Sequence, residues 1–211
     1  MSLRPRPPSN PFATRWVRPG ALDYEFASGE SAALLVARLA AAGGRGQIVG
    51  PHGAGKSTLL NALRPALLAA GKRLLDFQLH DGQRRLPGGT APLEQPADLE
   101  REALLVVVDG YEQLGRWERF RLRRIGRHGC GLLVTAHEDV GLPTVADVRA
   151  SLDLTRRLVR ELLAEYPPEI IVAKEVAAAY ARCQGNVRET LFALYDLFES
   201  RRVAQAASQG A

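Results

Sequence analysis

Sulfur is scarce in this chain, with two cysteines and one methionine among 211 residues. Cys130 and Cys183 are far apart and show neither CxxC nor Cys/His ligand spacing, which excludes a recognisable thiolate metal site or disulfide framework. Cys130, next to an apolar run, is expected to be buried. No stretch approaches the roughly 18 consecutive apolar residues of a membrane-spanning helix. Prolines break up the N-terminal segment, so it lacks the basic, apolar, small-residue order of a secretory signal. The expectation is a cytoplasmic protein with no membrane insertion. There is no internal repeat, and the glycine, proline and alanine bias is too diffuse to be low complexity.

What remains is a composition that is 46% hydrophobic, enough for one α/β core and a small helical domain. The N-terminal residues 1–9, rich in proline and arginine, and the small, polar residues 204–211 read as disordered tails. Residues 10–150 read as the core and 151–203 as a helical lid. Residues 82–96, dense in glycine and proline, read as a mobile surface loop.

The strongest local signal is Gly50-Pro51-His52-Gly53-Ala54-Gly55-Lys56-Ser57-Thr58, which satisfies the phosphate-cradling pattern G-x-x-x-x-G-K-[ST] in full. Its glycines allow a tight turn whose N–H groups point inward as an anion nest. A helix starting near Lys56 adds its own unpaired N–H groups and its positive end. Lys56 would reach the β and γ phosphates of a nucleoside triphosphate, and Ser57 would complete a Mg²⁺ shell. The flanks fit this order, with a short strand at residues 47–49 and a helical run from residue 58. Pro65 lies inside that run and removes a hydrogen bond to the Asn61 carbonyl, so a kink or break is expected there.

Residues 104–108 form a continuous apolar run ending in Asp109, the pattern of a strand buried on both faces of a parallel sheet. A carboxylate at the carboxyl end of such a strand sits where open α/β sheets bind ligands, and here it would hold Mg²⁺. Read locally, Asp109 could simply begin a turn, a reading that loses weight beside the glycine-rich loop.

Together these residues resemble the P-loop ATPases of the additional-strand class, which includes AAA+ and STAND proteins. The resemblance extends over about residues 10–200. It implies an α/β fold with a three-layer parallel-sheet core and a small C-terminal helical lid, and it implies ATP and Mg²⁺ as cofactors. Gly110 stands where many members place a catalytic glutamate. The run Asp109-Gly110-Tyr111-Glu112-Gln113 is instead similar to the D-G-h-[DE]-E run of STAND proteins, with Gln113 in place of the second acid. On that resemblance Glu112 orients the attacking water; read by itself, it is an acid favoured at the start of a helix. Thr135, ending the apolar run 131–134, matches the sensor 1 position, although a threonine that merely closes a strand would look the same. Arg188, in Gly185-Asn186-Val187-Arg188-Glu189, matches sensor 2 of AAA+ lids. Asn186 and Glu189 form the N-x-x-E variant of a capping box, and Val187, Leu191, Leu194 and Phe198 recur at helical spacing and should be buried. Phe12, Trp16 and Tyr24 are candidate adenine-stacking residues, or else they pin an N-terminal arm to the core.

Lysine and arginine outnumber acids, for a net charge of +5. Arg116, Arg119, Arg121, Arg123, Arg124 and Arg127 fall on or beside one helix, with Arg116, Arg119, Arg123 and Arg127 on a shared face. Three readings remain open. The face is solvated, or it binds nucleic acid or an acidic partner, or it supplies an arginine finger to a neighbouring subunit. Arg149 is nearer the family's usual finger position, but residues 137–150 leave little room for the helix that precedes one. Three functions follow: a Mg-dependent ATPase that couples nucleotide state to a protein partner or homo-oligomer, a switch that binds nucleotide without hydrolysing it, or a small-molecule kinase.

Overall fold

The computed structural model describes residues 10–18, 20–80, 82–89, 103–125 and 129–209. Its contacts divide the chain into two units. One comprises residues 23–51 and 56–148; the other comprises residues 1–22, 52–55 and 149–211.

The first unit is α/β. Strands β1 (Arg45–Val49), β2 (Arg73–Gln78), β3 (Leu104–Asp109), β4 (Gly131–Ala136) and β5 (Thr144–Asp147) form a five-stranded sheet in the order β2-β3-β4-β1-β5. All four neighbouring pairs are parallel. In β3, Val106 and Val108 pack with Leu132 and Val134 of β4 on one face. The alternate residues Leu105, Val107 and Leu133 are also buried, so both faces of the central strands are covered. That explains the unbroken apolar run in β3, because alternation is needed only when one face meets water. The four-residue β5 was not expected from the sequence. Only Val145 and Ala146 are buried in it, too few to show a period, and its pairing with β1 shifts register between Gln47 and Ile48.

Among the described residues three longer helices belong to this unit: α2 (Ala32–Ala41), α3 (Lys56–Ala69) and α4 (Arg116–Ile125). The Ser31 hydroxyl caps α2 by accepting from the Leu34 N–H at 3.2 Å. Helix α3 runs through Pro65 without the expected break. Leu59, Leu60, Leu63 and Leu67 bury its inner face, while Pro65 is exposed, so packing outweighs the missing hydrogen bond.

In the second unit, α1 (Thr14–Val17) precedes three C-terminal helices, α5 (Leu152–Leu162), α6 (Ala173–Arg182) and α7 (Val187–Gln209). Val187, Leu191, Leu194 and Phe198 are buried, as their spacing required. Phe12 is fully buried with them, its ring edge-on to Phe198 at 6.2 Å, and is therefore a core residue with no face open to a ligand. Helix α7 continues past residue 203 to Gln209, into the segment read from sequence as a tail. No described helix is long and apolar enough to cross a membrane. Of the loop expected at 82–96, residues 90–96 lie outside the described residues, as do residues 1–9 and Arg127.

Candidate functional site

In the α/β unit, the carboxyl ends of β1, β3 and β4 carry the residues that the sequence singled out. Val49 ends β1, and the Gly50 N–H bonds the Ala136 carbonyl at 3.2 Å. A Cβ on Gly50 would stand 2.2 Å from the Val148 carbonyl oxygen, so only glycine lets the chain leave the sheet here. Pro51 follows, and Lys56 opens α3.

Lys56 is only 8% exposed. Its ammonium donates to the Gly50 carbonyl at 2.6 Å and to the Pro51 carbonyl at 2.9 Å. Burial lowers its pKa; Glu112 and then Asp109 act against that shift by favouring the charged form. The lysine of the glycine-rich loop and both predicted carboxylates therefore share one electrostatic neighbourhood. Ser57 and Thr58 follow Lys56 in the first turn of α3, partly buried.

Asp109 closes β3. Its Oδ1 accepts from the Thr135 hydroxyl at 2.6 Å, and that hydroxyl accepts from the Gly110 N–H at 2.9 Å. Thr135, 1% exposed, thus uses its hydroxyl proton to hold the Asp109 carboxylate. The 3₁₀ turn Tyr111–Gln113 carries Glu112. Glu112 Oε1 lies 3.2 Å from His137 Nε2, whereas Glu112 Oε2 is buried without a hydrogen-bond partner among the described residues. Sequence reading missed His137. It follows β4 directly, and only the β3–β4 pairing brings it to Glu112.

Gln47 was also missed. Fully buried in β1, it donates to Asp139 Oδ1 at 2.7 Å and to Thr144 Oγ1 at 3.0 Å, and it accepts from the Val140 N–H at 2.9 Å. The Gln47 amide first and the Gly141 N–H second hold the Asp139 carboxyl below its usual pKa. This network shapes the turn between β4 and β5.

The other unit holds His52, Gly53, Ala54 and Gly55 together with the start of α7. Gly53 has φ 68°, and a Cβ on it would come within 1.8 Å of Asn186 Oδ1. Asn186 Oδ1 caps α7 by accepting from the Glu189 N–H at 3.1 Å, while the Asn186 N–H bonds the Cys183 carbonyl at 3.0 Å. Half of the expected capping box is thus formed, and a backbone carbonyl takes the donor meant for Glu189. Arg188 is exposed, with its guanidinium over the Phe192 ring at 5.7 Å.

The structure divides the arginines of α4. Arg119 donates to the Leu114 carbonyl at 2.8 Å and the Glu112 carbonyl at 2.7 Å, and Arg123 donates to the Tyr111 hydroxyl at 3.3 Å and to the Val140 carbonyl. These two, expected to share a face with Arg116 and Arg127, brace the turn that carries Glu112 rather than standing free in solvent. A backbone carbonyl is a strong acceptor, and burying it without a donor would be costly.

Ser57 and Asp109 each carry hard oxygen, the donor type that suits Mg²⁺. Among the described residues no group of three or more His, Cys, Asp or Glu side chains is arranged to hold a metal. A scan of protein-family models found none that matches the chain, and a search of curated proteins found no match.

Proposed function

We propose that the chain is a Mg-dependent ATP-binding protein and ATPase of the additional-strand P-loop class, similar to AAA+ and STAND proteins. One observation carries the reading. The buried Lys56 ammonium at the end of a glycine-rich turn shares a neighbourhood with Asp109 and Glu112, at the carboxyl edge of a parallel sheet. Strand order supports it as well, since β4 lies between β1 and β3 as an inserted strand.

On this reading residues 50–58 cradle the phosphates of ATP. Lys56 exchanges its carbonyl partners for phosphate oxygens and stabilises charge on the γ-phosphoryl group. Ser57 and Asp109 would hold Mg²⁺, which when bound neutralises phosphate charge. Thr135 fixes the Asp109 carboxylate and stands at the sensor 1 position. Glu112, anchored through Oε1 to His137, offers Oε2 to the attacking water. Arg188 reports nucleotide state. ATP turnover, measured across protein concentrations beside Lys56→Ala and Glu112→Gln, tests this. Loss of turnover in both variants supports it, and normal ATP binding by Lys56→Ala would sink it.

The Glu112–His137 pair also favours a second reading, a switch that holds ATP with negligible hydrolysis because its glutamate is tied. His137→Ala separates the two. Turnover falls if His137 positions Glu112 and rises if His137 restrains it.

A further inference from the structure

We propose that the outward face of α4, with the neighbouring segment 82–89, binds single-stranded nucleic acid. The proposal does not depend on ATP binding. At about 100° per residue, Arg116, Phe120, Arg124, Trp117 and Arg121 fall within an arc of roughly 140°. All five are exposed, and Trp117 and Phe120 are 76% and 55% exposed. Their rings lie 5.7 Å apart at 56°, presenting two aromatic faces side by side rather than one buried pair. Large exposed aromatics grouped in this way mark an interaction surface.

The other charges of α4 are engaged or buried. Arg119 and Arg123 are spent on backbone carbonyls. Glu118, the only acid of α4, is 9% exposed and sits on the buried side, so it does not offset the outward arginines. Arg116 and Arg124 make no ion pair to a described residue. Segment 82–89 contains no acid, and the Gly115 N–H bonds the Arg84 carbonyl at 2.9 Å, which brings exposed Arg84 and Arg85 to the start of α4.

Guanidinium groups would suit any acidic partner, but guanidinium groups around two exposed rings favour unpaired bases. Each base can stack on a ring while its phosphate meets an arginine. A duplex keeps its base faces stacked inside and offers only groove edges. Among the described residues this surface carries no side-chain set for reading those edges at fixed spacing, so binding is expected to be sequence-tolerant.

The test is fluorescence anisotropy of a labelled oligothymidylate of about 20 nucleotides, with a duplex of equal length alongside, over a series of salt concentrations. The single strand should bind more tightly than the duplex. Trp117→Ala with Phe120→Ala should weaken binding at least about tenfold while circular dichroism stays unchanged, because neither ring is in the core. Arg116→Gln with Arg124→Gln should reduce the slope of log affinity against log salt by about 1.4, the value for two phosphate contacts on a single strand. Absence of binding at about 50 mM salt, equal affinity for the duplex, or undiminished binding by the aromatic double variant would each overturn the proposal. Sedimentation runs in parallel. A dimer that the aromatic variant dissolves, in a protein that ignores the oligonucleotide, would overturn it in favour of a second copy of this chain.

Discussion

Thr135 has one hydroxyl and two obligations, to the Asp109 carboxylate and to the Gly110 N–H. Thr135→Val keeps the shape and removes both bonds, leaving a partly buried donor and a carboxylate oxygen short of a partner. The expected cost is about 1–3 kcal/mol in urea denaturation, together with weaker Mg²⁺ dependence of ATP binding. His137 acts on Glu112 at one atom, so its removal should show in turnover rather than in affinity. On the proposed ATPase reading, His137→Ala is expected to lower kcat severalfold with the ATP Kd changed less than about twofold, the pattern of a positioning residue rather than a binding one.

At the scale of elements, helix α3 carries a proline that its packing tolerates. Pro65 is exposed and the helix continues to Ala69. A mid-helix proline costs about 3 kcal/mol relative to alanine, and the stiffer unfolded chain returns up to about 1. Pro65→Ala should therefore raise stability by about 2 kcal/mol, seen as a higher urea midpoint at unchanged slope. In the other unit, α6 and α7 are joined by Glu175, whose carboxylate accepts from Arg201 and from the Val172 N–H at 3.0 Å. Arg201 is the main reason the Glu175 pKa is lowered, burial acting the other way. A carboxylate with a lowered folded pKa stabilises above its unfolded value of about 4.3 and loses that contribution as pH falls through the folded value. Glu175→Gln should thus be less stable than the parent by about 1 kcal/mol at neutral pH. The gap should narrow as pH falls through the folded pKa of Glu175, and a gap that acidification left unchanged would contradict this account.

For the molecule as a whole, the N-terminal residues belong with the C-terminal helices, because Phe12 fills their core and Asn10 bonds the Tyr195 carbonyl at 2.9 Å and Glu199 at 3.0 Å. Phe12→Ala should cost about 3–5 kcal/mol. Hydrogen exchange would show the loss first in α5, α6 and α7. If protection fell only among residues 10–18, the arm would be an appendage rather than part of that core.

Short-range rules made much of this legible in advance. The glycine-rich turn before Lys56, the unbroken apolar run of β3 and the helical spacing of Val187 to Phe198 each depend on contacts or dihedral limits within a few turns of chain, so local sequence alone determined them. The rest depended on partners distant in sequence. β5 is too short to show a period until β1 pairs with it. Phe12 could be assigned to a core only once α7 lay beside it. Which arginines of α4 face solvent was decided by the carbonyls of Leu114, Glu112 and Val140, and the anchoring of Glu112 by His137 was decided by the pairing of β3 with β4. Periodicity reports which face of an element is apolar, but a polar side chain's partner is set by whatever backbone folding brings within hydrogen-bonding distance, and that only the tertiary structure decided.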